Sequence, residues 1–267
     1  MASRDTNILI LCKTYPSPSA KYCETSCVAG MEEDGSLIRL FPVPFRLIDG
    51  KQQFKKWQWI SAKVEKSRDD HRPESHRLQV GSIEPGAEVT TRRDWSERRH
   101  YINRIEIFDS PGQLEAARVE RGVTLGLVRV GQVLDLSLTE SKNDSWTENE
   151  LAKLVRLQTD LFEDDQTEIR QLEKIPVDFH YHYECDTADG PVQFKHKVVD
   201  WEVCSLYRNL VQAHGKQGWK EPFKRKLLDE FPKKDLMFLM GTIHRFPDQW
   251  LIVSLIYPPK EQQPALF

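Results

Sequence analysis

CVAGMEEDGSLIRLFPVPFR, residues 27–46, reads as a strand, a tight turn and a second strand with a proline-punctuated exit. Asp34-Gly35 lies between apolar runs at 28–31 and 37–41. A turn dipeptide in that setting is the strongest short-range hairpin signal. Pro42 and Pro44 cannot donate to a ladder, so the exit is expected at an edge or in a polyproline-like crossover. Arg39 and Arg46 flank Phe41 and Phe45. Cations beside flat rings can hold a phosphate chain and stack a base. The same mix also suits the edge of an ordinary small barrel.

Outward from this hairpin, residues 7–13 are rich in Ile and Leu and read as a buried strand, and Pro16 and Pro18 set a loop over 14–20. Residues 54–66 alternate from Trp57 onward, with Gln58, Ile60, Ala62 and Val64 on one side and Trp57, Trp59, Ser61 and Lys63 on the other. That period predicts a strand. The polar stretch 67–77 is a surface loop, 78–83 a further strand, and 95–107 a short helix. Pro111-Gly112 opens a second short helix or turn through Ala117. Short strands with many Gly and Pro turns predict a small barrel over residues 1–112.

Residues 123–138 read as two strands with a turn at Gly131, 147–158 as a helix, and 160–173 as an acidic, helix-rich connector. Strands at 177–185 and 192–199 form a hairpin. A helix starts near Asp200 and runs past Leu210, and a basic helix covers 222–231. Strands at 235–241 and 250–257 close the chain. Strand, strand, strand, helix, strand, strand is the element order of an oligonucleotide/oligosaccharide-binding (OB) barrel.

A length of 267 residues leaves room for two modules. The net charge of -3 conceals segregation: residues 39–104 carry 15 Lys+Arg against 9 Asp+Glu, and residues 140–189 carry 5 against 14. Local patches, rather than the total, select a polyanion or a basic partner. Five cysteines without regular spacing argue for reduced thiols rather than a disulfide framework. The N-terminal apolar run is too short for a signal-peptide core or a membrane span. A cytoplasmic protein with no membrane partner is the expectation. The phosphate-binding glycine loops and the serine nucleophile elbow are missing, which disfavours nucleotide hydrolysis and acyl transfer.

The runs KTYPSPSAKYCETSCVAG and IRLFPVPFR resemble the start of bacterial proteins with a dual-OB-containing domain. RPES, VVDWE and GTIHRFPDQWLIVSLIYPP are similar to stretches of uncharacterised bacterial proteins of the same kind. The resemblance implies two OB-like barrels and a nucleic-acid-binding role near phage defence or mobile elements. It carries over no catalytic residue.

The candidate nucleic-acid-binding residues are Arg39, Arg46, Lys55, Lys56, Trp57, Arg68, Arg72 and Arg77, with Trp59 beside them. His244 and Arg245 join them from a turn where OB-like barrels contact ligand. Against this stands the ordinary fate of Trp in a small barrel, which is burial. On the strand at 178–185, His180, His182 and Glu184 share one face, and His196 on the next strand could complete a zinc site. A plain polar face is the simpler reading, so no metal and no cofactor is assigned. Asp200 with Glu202 could form a nuclease-type pair, but Asp200 stands where a helix cap is needed. Lys220, Lys224, Arg225 and Lys226 could track phosphates or simply solvate an amphipathic helix.

The expected architecture is α+β, mainly β: an OB-like module over 1–112 and a second over 113–267, which includes an acidic helical insertion at 140–175. The expected function is nucleic-acid binding, single strands favoured, through a basic and aromatic groove. A basic protein partner could dock on the acidic segment 140–189. The alternative is a metal-dependent nuclease or other hydrolase centred on residues 178–202. The sequence names no reaction.

Overall fold

A computed structural model describes residues 3–19, 23–141, 146–149 and 172–260. The first sheet holds β1 (Arg4–Lys13), β2 (Ser17–Ser19), β3 (Cys23–Glu32), β4 (Leu37–Val43), β5 (Gln58–Lys66), β6 (Ser75–Leu78) and β7 (Glu84–Glu88). Its order is β1-β3-β4-β6-β5, and β5 pairs back onto β1 to close a five-stranded barrel. The β4–β6 pairing is parallel and the others around the ring are antiparallel. Counted along the barrel, the strands run one, two, three, five, four. That is the OB arrangement. The hairpin turn falls at Asp34-Gly35, where Gly35 takes φ 93°, a conformation open to glycine. The chain after Pro44 makes a short 3-10 turn, Phe45–Leu47, in place of a helix. Residues 78–83, expected as a strand, are instead the end of β6 and a 3-10 turn at Val80–Ser82.

Two helices separate the barrels. α1 (Arg92–Ile102) carries left-handed backbone at Arg93, Asp94 and Trp95. After β8 (Ile107–Phe108), α2 (Pro111–Arg121) is capped by Ser110, whose hydroxyl accepts from Gln113 N, and it ends on the left-handed Gly122.

The second sheet contains β8, β9 (Leu125–Arg129), β10 (Gln132–Glu140), β11 (Val177–Thr187), β12 (Gly190–Val198), β13 (Met237–Ile243) and β14 (Phe246–Ile256). Its order is β10-β11-β12-β14-β13-β9-β8. β9 and β10 do not pair with each other. They are one barrel strand broken at Val130-Gly131, where Val130 N bonds Leu236 O and Gly131 N bonds Glu184 O. Read that way, the second ring repeats the first, down to a parallel third-to-fifth pairing of β12 with β14. Between β12 and β13 lie α3 (Trp201–Gly218), α4 (Lys220–Lys224) and a wide π turn, Arg225–Glu230. Phe223 and Leu227 from this helical stretch are fully buried against the barrel. The helix expected over 147–158 lies outside the described residues beyond 149, and so does the connector up to 171.

The continuous apolar runs have a common cause. In β1, Ile8 and Ile10 fill the first barrel, while Leu9 and Leu11 point to the other side. In β13, Phe238 and Met240 fill the second barrel, while Met237 and Leu239 point outward. The two outward sets meet, with Ala29, Met31, Trp57, Leu127 and Val253, in a third core that belongs to both barrels. A strand buried on both faces loses its alternation. Lys13 leads into a backbone bridge, Thr14 with Asp200, and Tyr15 N bonds Val199 O at 3.0 Å. The architecture is therefore mainly β, two OB-like barrels joined along a shared apolar seam. No helix among the described residues is long and apolar enough to cross a membrane.

Candidate functional site

In an OB barrel, ligands lie across strands two and three, between the loop joining strands one and two and the loop joining strands four and five. In the first barrel that surface is β3, β4, residues 14–19 of the connection between strands one and two, and the 67–74 loop. A cleft of about 580 Å³ opens there. Thr25 and Cys27 come from β3, Arg39, Phe41 and Pro42 from β4, Tyr15 and Ser17 from the first loop, and Ser67, Asp69, Asp70 and Arg72 from the second. The opposite wall is the second barrel: Val199, Leu251 and Val253, with Gly241, Thr242 and Ile243 at the end of β13 and His244 on the β13–β14 turn. Phe41 stands on this cleft with 41 % of its surface exposed, one of the large apolar side chains left open to solvent.

Two buried arginines hold the walls together. Arg39, 3 % exposed, donates through Nη2 to Glu74 at 3.0 Å and to the Thr124 carbonyl at 2.9 Å, and its Nη1 lies 3.7 Å from Cys27 Sγ. Thr124 belongs to the second barrel, and its hydroxyl bonds the same Glu74 carboxylate. A Cβ on Gly241 would sit 3.1 Å from Arg39 Nη2, so the guanidinium lies directly on that glycine. Arg72 forms a forked pair with Asp70 and donates to the Thr242 carbonyl at 2.6 Å. Burial by itself would raise the Asp70 carboxyl, but the Arg72 hydrogen bonds prevail and hold it well below the usual carboxylate range. The buried hydroxyl of Thr242 has no partner among the described residues.

The residues picked from sequence fall in three places. Arg39, Arg72, Arg77 and His244 converge on the cleft. Arg77 reaches the exposed Asp69, while Arg68 pairs with Glu65 at 3.4 Å and Arg245 is exposed on the β13–β14 turn. Arg46 bonds the buried Glu24 of β3 at 3.0 Å. Lys55, Lys56 and Trp57 lie elsewhere. Lys55 is exposed and pairs with Glu88 at 2.5 Å. Lys56 is buried in the seam, donating to Leu255 O at 2.7 Å and to Glu202 at 3.0 Å. Trp57 is a core residue there, 3 % exposed and edge-on to Trp95. Trp59 is half-buried and meets Tyr101.

The histidine-rich hairpin is also divided. His180 and His182 share the outer face of β11, and His182 lies 2.6 Å from Ser137 Oγ. His196 faces the barrel interior, with Nδ1 2.9 Å from the Tyr183 hydroxyl, and burial lowers its pKa to about 4. Asp200 is buried and caps α3, accepting from Glu202 N at 2.6 Å and Val203 N at 3.3 Å. Its second oxygen accepts from Leu255 N. These groups do not assemble into one site. Among the described residues, the donors that come together are Asp70, His71 and His244, all within 4.8 Å of one another. Asp70 and His71, on a loop, and Thr242, near the end of β13, carry no distinguishing sequence signal. Only the barrel order, which makes 67–74 the loop between strands four and five, could have pointed to them.

The fold defines a protein of two OB-like barrels, with a cleft on the strand-two and strand-three face of the first. Residues 107–267 match the family described as Domain of unknown function (DUF8757), and the chain belongs to that family. Residues 4–104 match Domain of unknown function (DUF8758). Comparison with curated proteins finds no match. Among solved structures, a Replication Protein A heterotrimer bound to ssDNA aligns at 10 % identity and TM-score 0.26, over 96 % of this chain and 66 % of that one. The single-stranded DNA binding protein from Thermus aquaticus, as a deletion mutant, aligns at 10 % identity and TM-score 0.22, over 98 % of each chain. At these TM-scores the likeness is slight, and the OB assignment stands on the strand order itself.

Proposed function

We propose that the protein binds single-stranded nucleic acid in the cleft between its barrels. The observation that carries this reading is the exposed Phe41 ring on the strand-two and strand-three face of the first barrel, at a cleft large enough for a nucleotide. A base stacked on such a ring contributes about 1–3 kcal/mol. Arg77 stands on the same cleft. Its partner Asp69 is largely exposed, so the pair is weak and a phosphate can displace it. Arg245 supplies a second cation from the neighbouring turn. The orphan Thr242 hydroxyl is a ready partner for a base edge or a ribose. The bacterial setting, in defence or on mobile elements, and a basic protein partner at 140–189 belong to the same proposal.

Most arginines of the cleft are already neutralised within the chain, so electrostatics contribute little. With two phosphate contacts, log K should fall against log salt with a slope of about -1.4. Fluorescence anisotropy with labelled DNA and RNA oligonucleotides, single- and double-stranded, over a salt series tests this. Phe41→Ala should weaken single-strand binding about tenfold and leave the melting temperature unchanged. Wild-type affinity in that variant, or no saturable binding to any probe at low salt, removes the reading.

A further inference from the structure

The two barrels place their loops between strands four and five against each other at one end of the cleft. His71 comes from the first barrel's loop and His244 from the second barrel's β13–β14 turn. Their ring centroids are 5.3 Å apart. His244 Nε2 lies 3.9 Å from Asp70 Oδ1. Both imidazoles are exposed, while Asp70 is buried and fixed. Arg72 donates to its carboxylate from the backbone N at 3.1 Å, from Nε at 2.9 Å and from Nη2 at 2.6 Å.

We propose that Asp70, His71 and His244 form a binding site for a divalent first-row transition metal, with zinc as the reference ion. Two imidazoles and a carboxylate are the donor set that such ions take, and they suit neither magnesium nor calcium. Zinc holds nitrogen at 2.0–2.1 Å and oxygen at 2.0–2.2 Å, which puts tetrahedral donors roughly 3.4 Å apart. The present spread of up to 4.8 Å closes by rotation of two exposed rings onto a fixed carboxylate. Hydrogen bonds that pin a ligating carboxylate are the usual outer shell of a metal site. Three protein donors leave a coordination position open. Asp70 and His244 both line the cleft, so the ion stands at its rim and ties one barrel to the other.

Isothermal titration of the full chain with Zn2+, without oligonucleotide, tests the site independently of nucleic-acid binding. One equivalent should bind saturably, and Mg2+ should give no heat. His71→Ala and His244→Ala should each weaken binding at least tenfold, while His180→Ala, on the remote β11 face, should bind as wild type. Both cleft histidines are exposed, so these variants keep the fold, which circular dichroism verifies. Co2+ should give a d–d absorption band with no thiolate charge-transfer band, although Cys27 lines the same cleft. No saturable equivalent, unchanged binding in either cleft variant, or a thiolate band overturns the assignment.

Discussion

Arg39 joins the barrels at a single guanidinium, with Glu74 and Cys27 on one side and the Thr124 carbonyl on the other. Truncating it strands a buried carboxylate. Arg39→Ala should therefore cost about 3–5 kcal/mol, read from urea unfolding, while the paired change Arg39→Met with Glu74→Gln should cost clearly less. Arginines were visible in the sequence; their directions were not. Glu74 is 35 positions from Arg39, and Asp70 is two from Arg72 within a loop whose shape no period announces. The same holds for Lys56 and Trp57, which sit in a basic and aromatic run yet point into the seam. Residue type records what a side chain can do. Its partner is set by which barrel strand lies behind it.

Strands were more legible, because their signals are local. The Asp34-Gly35 hairpin, the alternation after Trp57 and the Asp200 cap all stand where their residues place them. The break in the barrel strand at Val130-Gly131 was harder. A glycine between two apolar runs resembles a hairpin turn, and only the partners of β9 and β10 reveal one strand that changes neighbours. Gly30 shows how closely strands one and two approach: a Cβ there would lie 2.5 Å from Leu9 O and 2.6 Å from Ile8 Cγ2. Gly30→Ala should destabilise by about 1–3 kcal/mol, seen as a lower urea midpoint at unchanged m-value. On β12, burial holds His196 neutral, with a folded pKa of about 4 against 6.5 for a free imidazole. The unfolded chain binds the extra proton between those values, so this contribution is constant above pH 6.5 and is lost as pH falls to 4. Over that window wild type should lose about 3 kcal/mol more than His196→Gln, measured by denaturation at each pH.

At the scale of the whole molecule, the apolar seam decides cooperativity. Leu9 and Leu11 of one barrel pack with Met237, Leu239 and Val253 of the other, so neither can unfold without exposing its neighbour. Calorimetry should show one transition whose calorimetric and van't Hoff enthalpies agree; two separated transitions would mean independent barrels. The sequence announced two modules through its length and the element order of its second half, but their union was hidden. An unbroken apolar run looks the same whether its second face meets a helix, a sheet or another barrel. One further contact governs what the chain can tolerate. Trp146 Nε1 donates to the Leu172 carbonyl at 2.6 Å, so the chain leaves and re-enters the second barrel side by side. Pairing of β10 with β11 is then indifferent to how many residues are laid between those posts, and doubling that number costs only about 0.6 kcal/mol in closure entropy. The two posts act as a port: a glycine-serine segment inserted between them should leave the melting temperature little changed, read by calorimetry.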